Sequence, residues 1–205
     1  MQTYLLHYAC RYGCLRVVKL FLEHGADANA LNSSGSSPLF AAVHRDYQVD
    51  KTLPIVELLV QHGGAVDFCR RHDNISLLHV AASSGKADVV EFLLKDPSCR
   101  LLLNLRDSKQ GMTALHRAAY GGHAHVVYRL LLHRADINTT DKHGDSPLKD
   151  AKSKKHHLCC KLLETTHASV TRFAAVLEVG TTSLARSCIQ LISVVGPVYV
   201  AVNSA

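Results

Sequence analysis

The sequence predicts an all-α fold, a solenoid in which similar units of two short helices stack on one another. First, a leucine marker recurs at intervals of 33, 39, 37 and 33 residues, at Leu6, Leu39, Leu78, Leu115 and Leu148. Second, a pair of adjacent apolar residues follows the marker by eleven positions in four of the five units. Third, residues typical of helix starts and stops flank these segments. A period near 33 residues is typical of units that cannot bury their apolar faces alone.

Each unit is predicted to hold two helices. The first begins at Ser37-Pro38 in the second unit and at Ser146-Pro147 in the fifth. There the serine can accept a bond from a free backbone N–H, and proline suits the first helical position. The second helix of the first unit has apolar residues at helical spacing in LRVVKLFLEHG, and Gly25 is expected to end it in a left-handed conformation. In the second unit the apolar pair is displaced by five residues, to Ile55-Val56.

Composition favours a folded chain with acidic partners. The 205 residues are 47% hydrophobic and 20% charged, which argues against disorder throughout. A formal net charge of +6 is below that of a dedicated nucleic-acid binder. The seven cysteines are scattered and follow no signal peptide, so we expect reduced thiols in a cytoplasmic or nuclear protein. Arg186 and Gly196-Pro197 interrupt the longest apolar stretch, so we expect no membrane anchor.

Three segments, TALHRAAYGGHAHVVYRLLLHRADIN, SPLFAAV and FLEHGADANA, resemble ankyrin repeats. The resemblance covers about residues 3–165 as five units, and it implies a stack of paired helices from which short hairpin-like loops project at right angles. We expect the units near 1–32, 33–71, 72–107, 108–140 and 141–165. An atypical C-terminal extension, 166–205, is expected to be weakly ordered or packed on the last repeat.

Four units depart from the pattern. The first has only MQTY before its helix, which suggests a truncated start or an isoform. The second has extra residues in RDYQVDKTLP, where Thr52 and Pro54 are expected to restart the second helix. The third has DPSCRLLLN in place of a glycine stop, which lengthens the connection. The fifth has Lys155 where the fourth has Gly122, at a cost of about 1 kcal/mol if that turn needs a positive φ, so we expect a frayed cap.

The histidines of the repeat motif are expected to be structural. His7, His79 and His116 share one motif position, and the resemblance implies that they make hydrogen bonds between repeats. Phe40 and Lys149 take this position in the other two units, a pattern that would be unusual for a catalytic residue. The sequence shows no nucleophile elbow, phosphate loop or paired carboxylates, so we expect a non-enzymatic protein without a cofactor. An enzyme is the competing class, and a pocket that gathers titratable residues beyond the motif would favour it.

Two short motifs have ordinary interpretations. HHLCC, residues 156–160, contains zinc-ligand types, but Cys159 and Cys160 align with the apolar pair of the fourth unit, and adjacent helical residues point about 100° apart. We therefore expect no metal site. KSKKHH, residues 152–157, is either a nuclear import signal, a nucleic-acid patch or a soluble cap face. It lacks the interleaved aromatic residues of single-strand binders, so we expect no nucleic-acid partner.

The resemblance also indicates where a partner protein would bind. In this family partners usually lie on the concave face, which the loop tips and the exposed sides of the first helices form. Cationic residues recur there in every unit, with two tyrosines and a methionine among them, and Arg and Tyr are favoured interface anchors. We hypothesise an acidic or phosphorylated protein segment as partner; the alternative is a merely solvated surface. The candidate residues are Arg11, Tyr12, His44, Arg45, Arg71, His72, Met112, Arg117, Tyr120, Lys142 and His143.

A second function is suggested by the C-terminal extension. SLARSCIQLI, residues 183–192, resembles the elongin-binding helix of a suppressor-of-cytokine-signalling box, which follows ankyrin repeats in a family of ubiquitin-ligase substrate adaptors. Leu184, Cys188 and Ile192 are four residues apart and can form one apolar stripe of a helix. The resemblance implies elongin B and C as partners. The downstream cullin-contacting segment of such boxes is not recognisable in SVVGPVYVAVNSA.

Overall fold

The protein is an all-α solenoid, as the sequence predicts. The computed structural model describes residues 2–44 and 52–165, so the predictions for Arg45 and for the extension 166–205 fall outside the described residues. The described helices, in chain order, are α1 (Gln2–Arg11), α2 (Leu15–Glu23), α3 (Pro38–Val43), α4 (Thr52–Gln61), α5 (Leu77–Ser83), α6 (Ala87–Leu93), α7 (Pro97–Leu101), α8 (Ala114–Tyr120), α9 (Ala124–Leu132), α10 (Pro147–Ser153) and α11 (157–165).

The helices stack in two rows. The first helices contact one another in the order α1, α3, α5, α8 and α10, and the second helices in the order α2, α4, α6 and α9. Within the pairs, α1 contacts α2, α3 contacts α4, α5 contacts α6 and α8 contacts α9. Each pair therefore has neighbours that cover its apolar sides. None of the described helices combines the length and the apolar character that crossing a membrane requires.

The repeated apolar positions form one continuous core. The marker leucines of the first four units are at most 1% exposed, and Leu148, in the last described unit, is half-buried. The paired positions Val89-Val90 and Val126-Val127 are fully buried, as is the displaced pair Ile55-Val56. Burial of one such large side chain stabilises the fold by roughly 1.5–3 kcal/mol. This stabilisation arises between units, because each pair's apolar side faces a neighbour.

The predicted helix starts have the expected cap bonds. The Ser37 hydroxyl accepts the backbone N–H of Phe40 at 3.4 Å, and the Ser146 hydroxyl accepts that of Lys149 at 3.3 Å. Gly25 follows α2 with a φ of +78°. These residues satisfy backbone groups that helix ends leave without partners.

The third unit contains a helix that the sequence analysis did not predict. DPSCRLLLN was expected only to lengthen a connection, but it forms α7. The Asp96 side chain accepts the backbone N–H of Ser98 at 2.8 Å, and Pro97 occupies the first turn. Cys99 is fully buried, so this helix adds an apolar residue to the core.

One contact position of the fifth unit is polar where the preceding units are apolar. Lys152 occupies the register position of Ala119 and Ala82, which are fully buried. Its ammonium group lies 2.9 Å from a Glu164 carboxylate oxygen. An apolar contact position is therefore replaced here by an ion pair, which can face water.

The turn between α10 and α11 places Lys155 in a left-handed backbone conformation, which is costly for a residue other than glycine. Lys155 has a φ of 60°, in the left-handed region, as Gly122 has in the preceding unit. Lys155→Gly should therefore raise the free energy of unfolding by about 1 kcal/mol, because glycine adopts this conformation without a Cβ clash. Urea titration followed by circular dichroism measures the change. Lys155→Ala is the matched control, since it removes the same side chain and keeps the strain; an equal gain in both variants would contradict the prediction.

Candidate functional site

The hairpin loops of the concave face are shaped by one polar side chain each. The Asn32 side-chain oxygen accepts the backbone N–H groups of Ser34 and Ser36, and the Asp141 carboxylate accepts those of His143 and Asp145. All four distances are 2.8–3.0 Å. Such bonds hold a tight turn in one conformation. The sequence analysis missed this role.

The equivalent residue of the fourth unit is Asp107, which is buried. One carboxylate oxygen accepts the N–H groups of Lys109 and Gln110 at 2.9 and 2.7 Å, and the other lies 3.0 Å from the Arg117 guanidinium. Burial acts to raise the pKa of Asp107, but the Gln110 N–H and the Arg117 guanidinium outweigh it, and the pKa lies below its ordinary value. The spacing of 34 residues from Asp73 to Asp107 and again to Asp141 was the signal that could have revealed these positions.

Neighbouring hairpins are also bonded to each other. The backbone N–H of Ser108 donates to the carbonyl of Asp73, and that of Lys142 donates to the carbonyl of Gln110, both at 2.8 Å. The loops of the third, fourth and fifth units are thereby held in register.

The motif histidines connect each unit to the next loop. His79 Nδ1 accepts the backbone N–H of Ser76 at 3.2 Å, so Nε2 carries the proton and donates to the carbonyl of Met112 at 3.1 Å. His116 repeats the arrangement with Thr113 N–H at 3.2 Å and the carbonyl of Asp145 at 3.0 Å. His7 Nε2 lies 2.9 Å from the carbonyl of Ser36. These bonds support the structural interpretation of the three residues.

Burial keeps the imidazoles of His79 and His116 neutral. Burial, together with the nearby Arg117 cation, lowers the pKa of His79 to about 4. Burial also lowers the pKa of His116. A neutral imidazole with both nitrogens engaged is a structural link and is poorly placed to act as a general base.

Two further histidines join the turn between the helices of one pair to the end of the first helix of the preceding pair. His123 Nε2 donates to the carbonyl of Ser83 at 3.0 Å, and His156 Nε2 donates to the carbonyl of Tyr120 at 3.1 Å. The rings lie against Gly85 and Gly122, where a Cβ would come within 2.6 Å of them. The sequence analysis missed this contact. In HHLCC the structure places Cys159 in the core and leaves Cys160 half-buried.

Most of the predicted partner-binding residues are exposed. The exposed ones are Arg11, Tyr12, His44, Arg71, His72, Tyr120, Lys142 and His143. Several of them also make contacts within the protein. His72 Nε2 lies 3.3 Å from an Asp73 oxygen, and the Lys154 ammonium lies 4.4 Å from the centre of the Tyr120 ring. These side chains are accessible to a partner and are partly oriented by their neighbours.

Two predicted partner-binding residues offer little surface. Met112 is 8% exposed, and its carbonyl is occupied by His79. Arg117 has a side chain that is 21% exposed and paired with the fully buried carboxylate of Asp107. The Arg117 guanidinium therefore stabilises the loop that contains Asp107. This structural role could not be recognised from the position of Arg117 in the sequence.

A groove of about 360 Å³ lies at the N-terminal end of the concave face. Its lining includes Tyr4, Tyr8, Arg11, His44 and Arg70 and the hairpin around residues 32–36. The groove contains titratable residues other than the motif histidine. Apart from the tyrosines, these residues are arginines and histidines, which can carry only positive charge. The described lining contains no carboxylate. Such a set favours binding of an anion over acid–base chemistry. The sequence analysis missed Tyr4 and Tyr8, although their spacing of four residues was visible.

Comparisons with known proteins point to one family. Residues 6–102 and 95–173 match the model for ankyrin repeats in three copies. The chain is 30% identical over 155 residues, 71% of its length, to transient receptor potential cation channel subfamily A member 1 of Drosophila melanogaster. It is 34% identical over 113 residues, 55% of its length, to the B-cell lymphoma 3 protein homolog of Mus musculus. It is 30% identical over 154 residues, 71% of its length, to ankyrin repeat and SOCS box protein 16 of Homo sapiens. These matches span 12%, 24% and 32% of the three relatives.

The neutrality of His79 predicts a loss of stability in acid. The folded protein binds this proton only near pH 4, whereas an unfolded histidine binds it near pH 6.5. The stabilisation is therefore complete above pH 6.5 and is lost as the pH falls from 6.5 to 4, by about 2–3 kcal/mol. His79→Gln, whose amide can replace both hydrogen bonds, should lose less free energy of unfolding between pH 7 and 4.5. Urea titrations at both values measure this.

The control for this prediction is His125→Gln, because His125 is exposed on α9. It should show the pH dependence of the unchanged protein. An identical pH dependence in the His79 variant would contradict the assignment of the acid sensitivity to the buried imidazole.

Proposed function

The chain belongs to the ankyrin-repeat family, and on that premise we propose that it is a non-enzymatic scaffold that holds an acidic or phosphorylated partner protein on its concave face. Ankyrin repeats support a protein-interaction role. The observation that carries the finer proposal is the recurrence of exposed cationic residues on this face. Arg11, Arg71 and Lys142 belong to different units and are all exposed.

The framework beneath these residues favours binding. Side-chain bonds to the backbone hold the hairpin tips, and histidine links join the tips to the helices of the preceding unit. A partner therefore meets a surface that is already ordered, and the entropic cost of association is reduced. The formal net charge of +6 also favours the approach of an acidic partner.

We expect charge reversal on the concave face to weaken partner binding. Arg71→Glu and Lys142→Glu should each reduce affinity by about fivefold or more, because a local attraction between the cation and an acidic side chain of the partner becomes a repulsion. The partner is first identified by affinity capture with the whole chain, then purified, and binding is measured by isothermal titration calorimetry.

Arg16→Glu is the matched control for these variants. Arg16 is exposed on α2, outside the concave face, and the substitution changes the net charge equally. Its affinity should equal that of the unchanged protein. Equal affinities for all three variants would contradict partner binding on the concave face.

A second candidate function is that of a substrate-recognition adaptor of a ubiquitin ligase. It is favoured by the resemblance of residues 183–192 to an elongin-binding helix and by similarity to a relative whose name includes a SOCS box. The downstream residues SVVGPVYVAVNSA do not resemble a cullin-contacting segment. On this candidate, the repeats would bind the substrate and the extension would bind elongin B and C.

Co-expression with elongin B and C tests the adaptor function. If it is correct, the whole chain should co-purify with both elongins, and Leu184→Asp should abolish the complex, because it puts a charge in the apolar stripe. Arg186→Gln, also within 183–192 but outside that stripe, is the control. Purification of the whole chain free of both elongins would exclude this function.

A further inference from the structure

We propose that the groove between α1, α3 and the hairpin around residues 32–36 binds an extended acidic peptide segment whose carboxylates alternate with apolar or aromatic side chains. The proposal rests on the proposed function and deepens it by naming one subsite and the chemistry of its occupant. The groove of about 360 Å³ has the size of a small ligand pocket, which suits a few peptide side chains.

The shape of the groove follows from one register position. Tyr8, Ala41, Val80, Arg117 and Asp150 each lie two residues after the marker leucine of their unit. Ala41 has only a methyl group where the fourth unit has the long side chain of Arg117. The neighbouring Tyr8 is 56% exposed, and both residues line the groove. The small residue leaves space beside an accessible aromatic ring.

The second unit supplies the floor of the groove. Phe40 takes the motif position that histidine occupies in three other units, and it is buried. Its ring packs edge-to-face against Phe68 at 5.6 Å, and the Arg70 guanidinium lies 5.6 Å from its centre. Arg70 is also paired with the buried carboxylate of Asp73, so its position is determined by two contacts. A fixed cation beside an aromatic surface is typical of an interface anchor.

The wall opposite is aromatic. Tyr4 and Tyr8 are 52% and 56% exposed on α1, and the rings of Tyr8 and Tyr12 stack with centres 6.3 Å apart. Tyrosine provides a broad apolar contact and a hydroxyl at little cost in side-chain entropy. This wall suits apolar or aromatic side chains of a peptide.

The charges of the groove favour several separate carboxylates. Arg11 is at the end of α1, His44 follows α3, and Arg70 lies in the next hairpin. They are spread over three successive structural elements, and no described carboxylate lines the groove. Two separated guanidinium groups and an imidazole N–H donor match a segment with several Asp or Glu side chains better than one phosphate, which clustered arginines bind.

The other end of the concave face has a different character. Asp150 is buried there, and its pKa is raised to about 6 by burial and by the carboxylates of Asp141 and Asp145. Lys149, at the motif position, is paired with Asp145. Negative charge is therefore part of that end, whereas the described lining of the groove is positive. The acidic segment is expected at the N-terminal end.

Synthetic peptides test the proposal on the whole chain. We use fluorescein-labelled pools of twelve-residue peptides in which Asp and Glu alternate with Leu, Tyr and Phe, and matched pools with Asn and Gln, or with phosphoserine, in place of the acids. Fluorescence anisotropy should show the acidic pool binding at least about tenfold more tightly than the amide pool. Its affinity should fall as NaCl rises from about 50 to about 200 mM. Equal affinity for acidic and amide pools overturns the proposal.

Variants localise the binding. Tyr8→Ser and His44→Glu should each weaken binding of the acidic pool by about fivefold or more, and Arg16→Glu should leave it unchanged. Unchanged affinity in both groove variants, or an equal loss in the Arg16 variant, overturns the groove as the binding site. Tighter binding of the phosphoserine pool than of the acidic pool overturns the choice of carboxylates.

A measurement on the unchanged protein guards against misfolded variants. Titration of the acidic pool into ¹⁵N-labelled protein should shift amide resonances of residues 4–11, 32–44 and 70. Shifts confined to other residues overturn the proposal. The partner-capture experiment tests the scaffold function independently of the groove. If a partner is captured but the peptides do not bind the groove, only this proposal fails; if no partner is captured, the scaffold function fails.

Discussion

The structure depends on the burial of each helix pair's apolar side against the next pair. The marker leucines of the first four units and the paired valines of the third and fourth units are excluded from water because a neighbouring unit covers them. Stability is therefore cooperative along the stack, as in other repeat proteins, and each unit contributes through its contacts. The polar ion pair between Lys152 and Glu164 replaces this contact at one position of the fifth unit. The same stacking leaves the loop tips and the first-helix surface free for recognition.

Hydrogen bonds connect the core to the hairpin loops of the concave face, the proposed recognition surface. His79 and His116 join a helix cap in one unit to a loop carbonyl in the next, and Asp107 and Asp141 hold the loops from within. Burial keeps the two imidazoles uncharged at neutral pH, so the links persist without a buried positive charge. A surface supported in this way can bind a partner without first having to become ordered.

The cations of the concave face differ in their surroundings. Arg117 and Arg70 pair with buried aspartates, and the side chains of Arg11 and Arg71 are exposed. Substitution of Arg70 or Arg117 would leave a buried carboxylate without its partner and destabilise the loop. A loss of partner binding in such a variant would therefore not show that the arginine contacts the partner. The exposed cations are the informative probes of recognition. At the N-terminal end they lie beside exposed tyrosines, which gives that end a distinct chemistry.

The repeat period and the cap residues determined the fold, because a 33-residue spacing and Ser-Pro starts act locally and recur in each unit. They also predicted which side of each helix is buried. Only the tertiary structure decided what individual side chains on the concave face do. Arg117 reaches Asp107 and Met112 becomes buried because residues of different loops and helices meet there. The groove likewise requires Tyr8, Ala41 and Arg70, which come from three different elements. The repeat register shows on which face of the stack a residue lies, but it does not show which neighbouring side chains fill the space beside that residue.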